Sequence, residues 1–391
     1  MRIAVTSTFS SWGAWNPKDL FDPESKRMIA GGETSMIHLA LQLAKHGHEV
    51  ILFYDTDYPV QYGGVDFLPR AYQTPLLTYL KFDVLIAWED FDVAGINHTA
   101  DLVVVPFQRN NMTSLSHYWG IDYYQAVSQW HINTLMNSDP TVMELPVRNK
   151  FVVFPNGVDM ARYQGGFVPG REGRDRLRII HSSSPDRGLH HLFNIWPEMR
   201  KAIPGVELHV FYEIKKWLES MDSKVNRTAL PELSARAEAI SRGLKYTEGD
   251  GVHIHGAVNQ WQLAREQMQS SLLLYPCDTV DKKTEGFSIT VLEGLASGTP
   301  VLTTNCDAFE ELWTGVTKQV FLPVENKLYQ FVDYAKELLT DDEAWQHAHV
   351  TGLQYAAEFS WNAIGNRYNS WLVQALGDKR YLARKEQESA A

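Results

Sequence analysis

Short apolar runs rich in β-branched residues alternate with segments of helical period along most of this chain. That pattern leaves few choices other than strand-helix-strand units wound around parallel sheets. Ile3 to Ser7 opens the series. A helix is predicted from about Thr34, with Met36, Leu39, Ala40, Leu43 and Ala44 on one stripe and Gly47 placed to end it. Val50 to Tyr54 reads as the next strand, followed by Val84 to Trp88, Leu102 to Phe107 and Phe151 to Phe154, each separated by enough chain for a crossover.

After Pro155-Asn156-Gly157, turn-forming residues accumulate through Gly165, Gly166, Pro169, Gly170 and Gly173, which marks a domain junction. The alternation then restarts, with strands predicted at Leu177 to His181, Glu207 to Tyr212, Val252 to His255, Leu272 to Tyr275 and Val301 to Thr304. A length of 391 residues also favours two cores over one. The expected domains are therefore 1–156 and 157–360. A helix at about 361–376 is free to return to the first domain, and a polar, disordered tail is expected over 377–391.

A net charge of −11 repels phosphate backbones and anionic headgroups at long range, so nucleic acid is not the expected partner. Cys277 and Cys306 are too few for a disulfide framework and lack metal-site spacing; a reducing compartment, and so the cytoplasm, is the simpler reading. No signal core is visible at the amino terminus, and no run of about 18 uncharged apolar residues exists to span a membrane, which leaves peripheral membrane contact open.

The segment from Thr284 to Pro300 carries most of the chemical information. It reads loop, helix, loop, strand. A helix starting near Ser288 leaves its first N–H groups unpaired and sets a positive dipole end at the mouth of the sheet, a natural diphosphate site, and Gly286 lets a ligand approach the backbone. Glu293 falls four residues after Ile289, near the apolar stripe, so its carboxylate needs partners to offset desolvation; a ribose diol would serve. Glu285, before the helix, would face a sugar just beyond the diphosphate. As a bare pair, the two glutamates are equally ordinary helix and cap residues.

In context, Glu285 to Pro300 resembles the E-x7-E signature of retaining glycosyltransferases of family four. Three more segments match in order. Ala30-Gly31-Gly32-Glu33, followed by a helix and Gly47-His48-Glu49-Val50, resembles the family's glycine loop and "GHEV" strand start. Pro155-Asn156-Gly157-Val158-Asp159 resembles its interdomain "PNGVD", and Pro185-Asp186-Arg187-Gly188-Leu189 its "KGL" segment, with arginine for lysine.

The resemblance implies an α/β protein of the GT-B fold, two doubly wound Rossmann-like domains facing across a cleft, that moves a sugar from a nucleoside-diphosphate-sugar to a carbohydrate or other hydroxyl-bearing acceptor. It implies no cofactor beyond the donor and no metal. Carried across, Glu293 binds the ribose, Glu285 the transferred sugar, and the backbone of Phe287, Ser288 and Ile289 the diphosphate and sugar. Arg187 neutralises the diphosphate, with Gly31 and Gly32 adding backbone N–H groups. The loop Gly256-Ala257-Val258 contacts the base.

The chain departs from the family at two points. Ser182 stands where an arginine is common, with Lys215 or Lys216 as substitutes. A histidine usual at the end of an early strand is missing, with Gln108 and Arg109 as poor candidates for its place. Two other readings fit the same residues: a nucleotide-sugar epimerase of similar shape and a binding protein without turnover.

Other signals are weaker. Asp55-Thr56-Asp57 looks like a metal-binding D-x-D but follows a strand, where aspartates make turns. His253 and His255 alternate on a strand, with no third ligand at a sensible sequence spacing, and read as structural. Trp12 and Trp15, in the aromatic stretch Ser10 to Met28, either stack on acceptor sugars or pack beneath their own loop.

Overall fold

A computed structural model gives the architecture. It describes residues 1–7, 14–25, 27, 29–89, 97–108, 120–138, 149–164, 170–222, 230–246, 248–279, 285–323 and 327–390. The chain divides into two compact units, Met1–Gly157 with Phe359–Ala391, and Val158–Glu358.

In the first unit the described strands form an eight-stranded sheet in the order β3-β4-β2-β1-β5-β6-β7-β8. They are β1 (Arg2–Ser7), β2 (Glu49–Tyr54), β3 (Val60–Tyr62), β4 (Val65–Pro69), β5 (Val84–Trp88), β6 (Leu102–Pro106), β7 (Tyr123–Ala126) and β8 (Phe151–Val153). All neighbours are parallel except β3 and β4, a hairpin turned at Gly63-Gly64, both with positive φ. The inner strands are apolar on both faces because helices cover both faces, as parallel sheets require. Ile3, for example, lies between Val50 and Val84 in register.

The helix Gly31–Lys45 and the long helix Trp361–Ala390 share one of these cores. Ile364, Tyr368, Leu372 and Leu376 are each at most 3% exposed, and such burial stabilises by roughly 1.5–3 kcal/mol per side chain. The helix runs to Ala390, where a disordered tail from 377 was expected. Its polar second half gains what apolar burial does not supply: Lys379 reaches Asp122 at 2.6 Å, and Arg380 bonds Asp101 at 2.6 Å and also Asp83.

The second unit holds a parallel sheet in the order β11-β10-β9-β12-β13-β14. Its strands are β9 (Asp175–His181), β10 (Glu207–Val210), β11 (Val252–Ile254), β12 (Ser270–Tyr275), β13 (Val301–Thr304) and β14 (Lys318–Val320). The helix Leu189–Ala202 packs Leu189, Leu192, Phe193 and Trp196 onto one face, the stripe visible in the sequence.

Strand order locates the sites. In the first unit the chain runs outward from β1 through β2 to β4, then returns to β5. In the second it runs from β9 through β10 to β11, then returns to β12. The β1/β5 and β9/β12 boundaries are therefore topological switch points, where the connections diverge and leave a crevice at the strands' carboxyl ends.

Candidate donor-binding site

The second unit's switch point gathers the acidic signature. Arg187 follows β9 and Glu285 follows β12, so both stand at that crevice. The Glu285 carboxylate takes a hydrogen bond from the Tyr275 hydroxyl at 3.1 Å and lies 3.4 Å from the Arg187 guanidinium. Its backbone N–H donates to Asp307 at 2.9 Å, and Asp307 is itself held by Thr279 at 3.0 Å. Burial drives the Glu285 carboxyl above its ordinary pKa while Arg187 and Tyr275 draw it back; burial lowers Arg187, but Glu285 together with Cys277, Tyr275 and Asp186 more than offsets it and holds Arg187 above the ordinary arginine value. Arg187 keeps one buried guanidinium nitrogen, Nη1, with no hydrogen-bond partner. A cation held by an acid and carrying a spare donor suits an incoming anion.

Beside them lies the helix Ile289–Ala296. Ser288 is its N-cap, with an extended backbone and a hydroxyl that accepts the Val291 N–H. Phe287, 4% exposed, packs edge-on to Trp313 and anchors the approach to the helix. Gly294 lets the helix lie directly on the sheet, since a Cβ there would stand 2.8 Å from Leu273 and 3.0 Å from Val301.

Glu293 is buried within this helix, 9% exposed. Its charged neighbour is Arg162, whose Nη1 lies 3.6 Å from the carboxylate, beyond ordinary hydrogen-bond range, while its Nε lies 3.6 Å from Asp159. Arg162 Nε and Nη2 have no hydrogen-bond partner. Sequence reasoning missed Arg162, and the signal was its position just after the "PNGVD" run. Burial raises the Glu293 carboxyl above its ordinary range, with Arg162 the opposing influence.

A raised carboxyl pKa makes the ionised form the costly one: its contribution to stability is present at low pH and lost as pH rises through the folded-state value. Glu293→Gln is therefore expected to raise the melting temperature of the ligand-free protein at pH 7, since Arg162 keeps Asp159. The gain should vanish as pH falls into the ordinary carboxylate range. Parallel melts of both proteins across that range check it, and a variant that melts at or below the wild type at pH 7 would contradict it.

At the loop after β11, the Ala257 N–H donates to Glu213 at 3.2 Å, and Gly256 has φ +75 with its Cβ direction 3.3 Å from the same oxygen. Val258 follows, partly exposed. Glu213 was not anticipated; it holds the loop assigned to the base. Lys215 and Lys216 are exposed on the neighbouring helix Ile214–Met221, and Ser182, in the place of the missing arginine, has a buried hydroxyl without a partner.

In the first unit Gly31 and Gly32 begin the helix after β1, whose N-cap Ala30 gives its N–H to Glu33 at 3.1 Å. Gln108, after β6, faces the Gly32 Cβ direction at 3.7 Å, exchanges amide bonds with Asn156 at 2.9 and 3.1 Å, and gives its N–H to Glu89 at 2.9 Å. Trp15 is 4% exposed, stacked on Tyr54 at 4.1 Å and bonded through its indole N–H to Glu33 at 3.1 Å, so its ring packs the core as placed. Trp12 and Arg109 lie outside the described residues. Asp55 is engaged by Arg70 at 3.0 Å.

Residues 180–341 match the family described as Glycosyl transferases group 1. No curated protein matches the chain by sequence. Among solved structures, a glycosyltransferase from Rickettsia africae aligns with TM-score 0.66 at 14% identity, over 96% of this chain and 98% of that one. Sucrose-phosphate synthase from Thermosynechococcus elongatus aligns with TM-score 0.65 at 12% identity, over 97% and 100%. The catalytic domain of starch synthase IV from Arabidopsis thaliana, bound to ADP and acarbose, aligns with TM-score 0.62 at 11% identity, over 96% and 99%. The two Rossmann-like units constitute the GT-B fold. Among the described residues no helix is long and apolar enough to cross a membrane.

Proposed function

We propose that the protein is a retaining, metal-independent glycosyltransferase that moves a sugar from a nucleoside-diphosphate-sugar to a hydroxyl-bearing acceptor. The observation that carries this reading is the grouping of Arg187, with its spare guanidinium nitrogen, Glu285 and the start of the helix containing Glu293 at one switch point. The match of residues 180–341 to glycosyl transferases supports it.

Breaking a glycosyl-phosphate bond builds negative charge on the departing diphosphate. Arg187 and the leading amides around Phe287, Ser288 and Ile289 meet that charge where it develops, a task another enzyme would give to a metal. Gly286 lets the diphosphate approach the backbone. Glu285 accepts from a hydroxyl of the transferred sugar, Glu293 from the ribose diol, and the loop at Gly256, Ala257 and Val258 borders the base. Gly31 and Gly32 offer backbone N–H groups to an anion in the same manner. The leaving diphosphate helps to deprotonate the acceptor on the face it vacates, so the configuration is kept and Glu285 is not a nucleophile.

A thermal-shift series with nucleoside diphosphates and their sugars tests the donor. A matching ligand at about 100 times its Kd adds about 2.7 kcal/mol, a rise of roughly 5–11 °C for a unit this size. Glu293→Gln is expected to weaken that ligand by about 10–100-fold, the loss of charge-assisted bonds to a diol. Acceptor-dependent release of nucleotide then distinguishes transfer from epimerisation and from binding alone. Absence of any shift across the series, or unchanged affinity in the glutamine variant, would refute the assignment.

A further inference from the structure

His253, on β11, and His255, just past its end, look structural in the sequence because no third ligand is near them along the chain. The fold brings two further ligands, both from the neighbouring strand, beside His253. In the parallel pairing of β10 with β11, His209 sits directly beside His253, and Glu207 lies two residues earlier on the same face. Glu207 Oε2 lies 3.5 Å from His209 Nε2 and 3.7 Å from His253 Nε2. One ligand atom from each of the three residues lies within 4.8 Å of the other two.

We propose that Glu207, His209 and His253 form a binding site for a divalent transition-metal ion of the zinc class. Ligand atoms around a tetrahedral zinc, each at about 2.0–2.2 Å, are separated by about 3.3–3.6 Å, so the two measured edges need almost no movement to accept the ion. Without it the same distances are too long for good hydrogen bonds, and His253 Nε2 is buried with no hydrogen-bond partner at all. Two imidazoles and one carboxylate select zinc, nickel or copper over magnesium and calcium, which want oxygen donors.

The Glu207 side chain is 43% exposed, which gives an ion a route to the cluster from solvent. A supporting contact is also in place. His209 Nδ1 lies 2.9 Å from His255 Nε2, which fixes the His209 ring, and His255 stacks on Phe211 at 4.4 Å. A second cluster of this composition among the described residues, His190, His191 and Asp278, is different: Asp278 is already bonded to His191 at 2.9 Å through one oxygen and to Arg236 through the other.

Glu207 is the first residue of β10, whereas Arg187 and Glu285 follow the carboxyl ends of β9 and β12. The proposed transfer therefore assigns the ion no contact with the diphosphate or the transferred sugar. It ties β11, a three-residue edge strand, to β10, so its occupancy sets how firmly that edge of the sheet is held.

The test uses the full chain without a polyhistidine tag, stripped with a chelator. Titration with Zn2+ should show one ion per chain, and Co2+ should give the visible absorption of a tetrahedral site that added Zn2+ removes. His253→Ala and Glu207→Gln should each weaken Zn2+ by at least tenfold and together abolish stoichiometric uptake. His255→Gln should weaken it by about tenfold. Zn2+ should raise the melting temperature of the wild type and leave that of the double variant unchanged. Both ligand positions are partly exposed, and if His253→Ala fails to fold, Glu207→Gln carries the test alone. No stoichiometric uptake by the wild type, or uptake that survives in the variants, overturns the proposal.

Discussion

Arg187→Ala is expected to slow sugar transfer by a factor of about 10²–10³, the usual effect of removing one fixed donor from a developing oxyanion. The guanidinium is paired with Glu285 at 3.4 Å and keeps a buried nitrogen without a partner, which suits an incoming anion. The fold should survive. Glu285 is already raised by burial, and without its cation it takes up a proton instead of remaining a buried, unpaired charge. Arg187→Lys restores the charge but not the fork, so it should recover only part of the rate. The measurement is the kcat and donor KM of the three proteins with one donor and acceptor. A rate for the alanine variant within about threefold of wild type, far short of that range, would remove Arg187 from the reaction.

The features legible in the sequence are those whose cause is local. The run from Glu285 to Pro300 shows its loop, helix and turn into β13 because the N-cap Ser288, the apolar stripe and the turn at Gly298 lie within one short stretch. What stayed hidden depends on contacts between distant segments. Arg162 beside Glu293 joins the start of the second unit to a helix much later in it. Asp307, which fixes the Glu285 backbone, has φ +52, a conformation that nothing in its neighbourhood announces. The polar half of the last helix reads as a tail because its partners, Asp83, Asp101 and Asp122, lie far back in the first unit.

The metal cluster shows the same limit. Alternation along the sequence placed His253 and His255 on one face, but the two ligands that join His253, Glu207 and His209, come from a register that only the folded sheet defines. The hairpin β3-β4 was missed for another reason. Its Gly63-Gly64 turn is a standard signal, yet the strands it joins have only three and five residues. Trp15 was left between two roles by composition alone, and the ring stacked on Tyr54 shows what the residue packs against.

Gly188→Ala should be the most destabilising single-methyl change near the site, because two independent costs fall on one carbon. The residue has φ +99 at the N-cap of the helix Leu189–Ala202, a conformation that alanine rarely adopts. A Cβ there would also stand 2.2 Å from the Pro276 carbonyl oxygen and 2.6 Å from its carbon. Backbone cannot swing aside as a side chain does. To make room, either the helix must leave the sheet, uncovering Leu189 and Leu192, or the end of β12 must shift, and Glu285 with it. Backbone strain and overpacking together come to about 4 kcal/mol, which lowers the melting temperature of a unit of about 200 residues by roughly 8–16 °C. Gly170→Ala is the control: Gly170 has φ −68 and nothing within 4 Å of its Cβ direction, so its melt should stay within about 0.5 kcal/mol of wild type. Equal melting curves for the two variants would show that the close approach of Gly188 to Pro276 does not exist in solution. The placement of Arg187, one residue earlier, would then have to be redrawn.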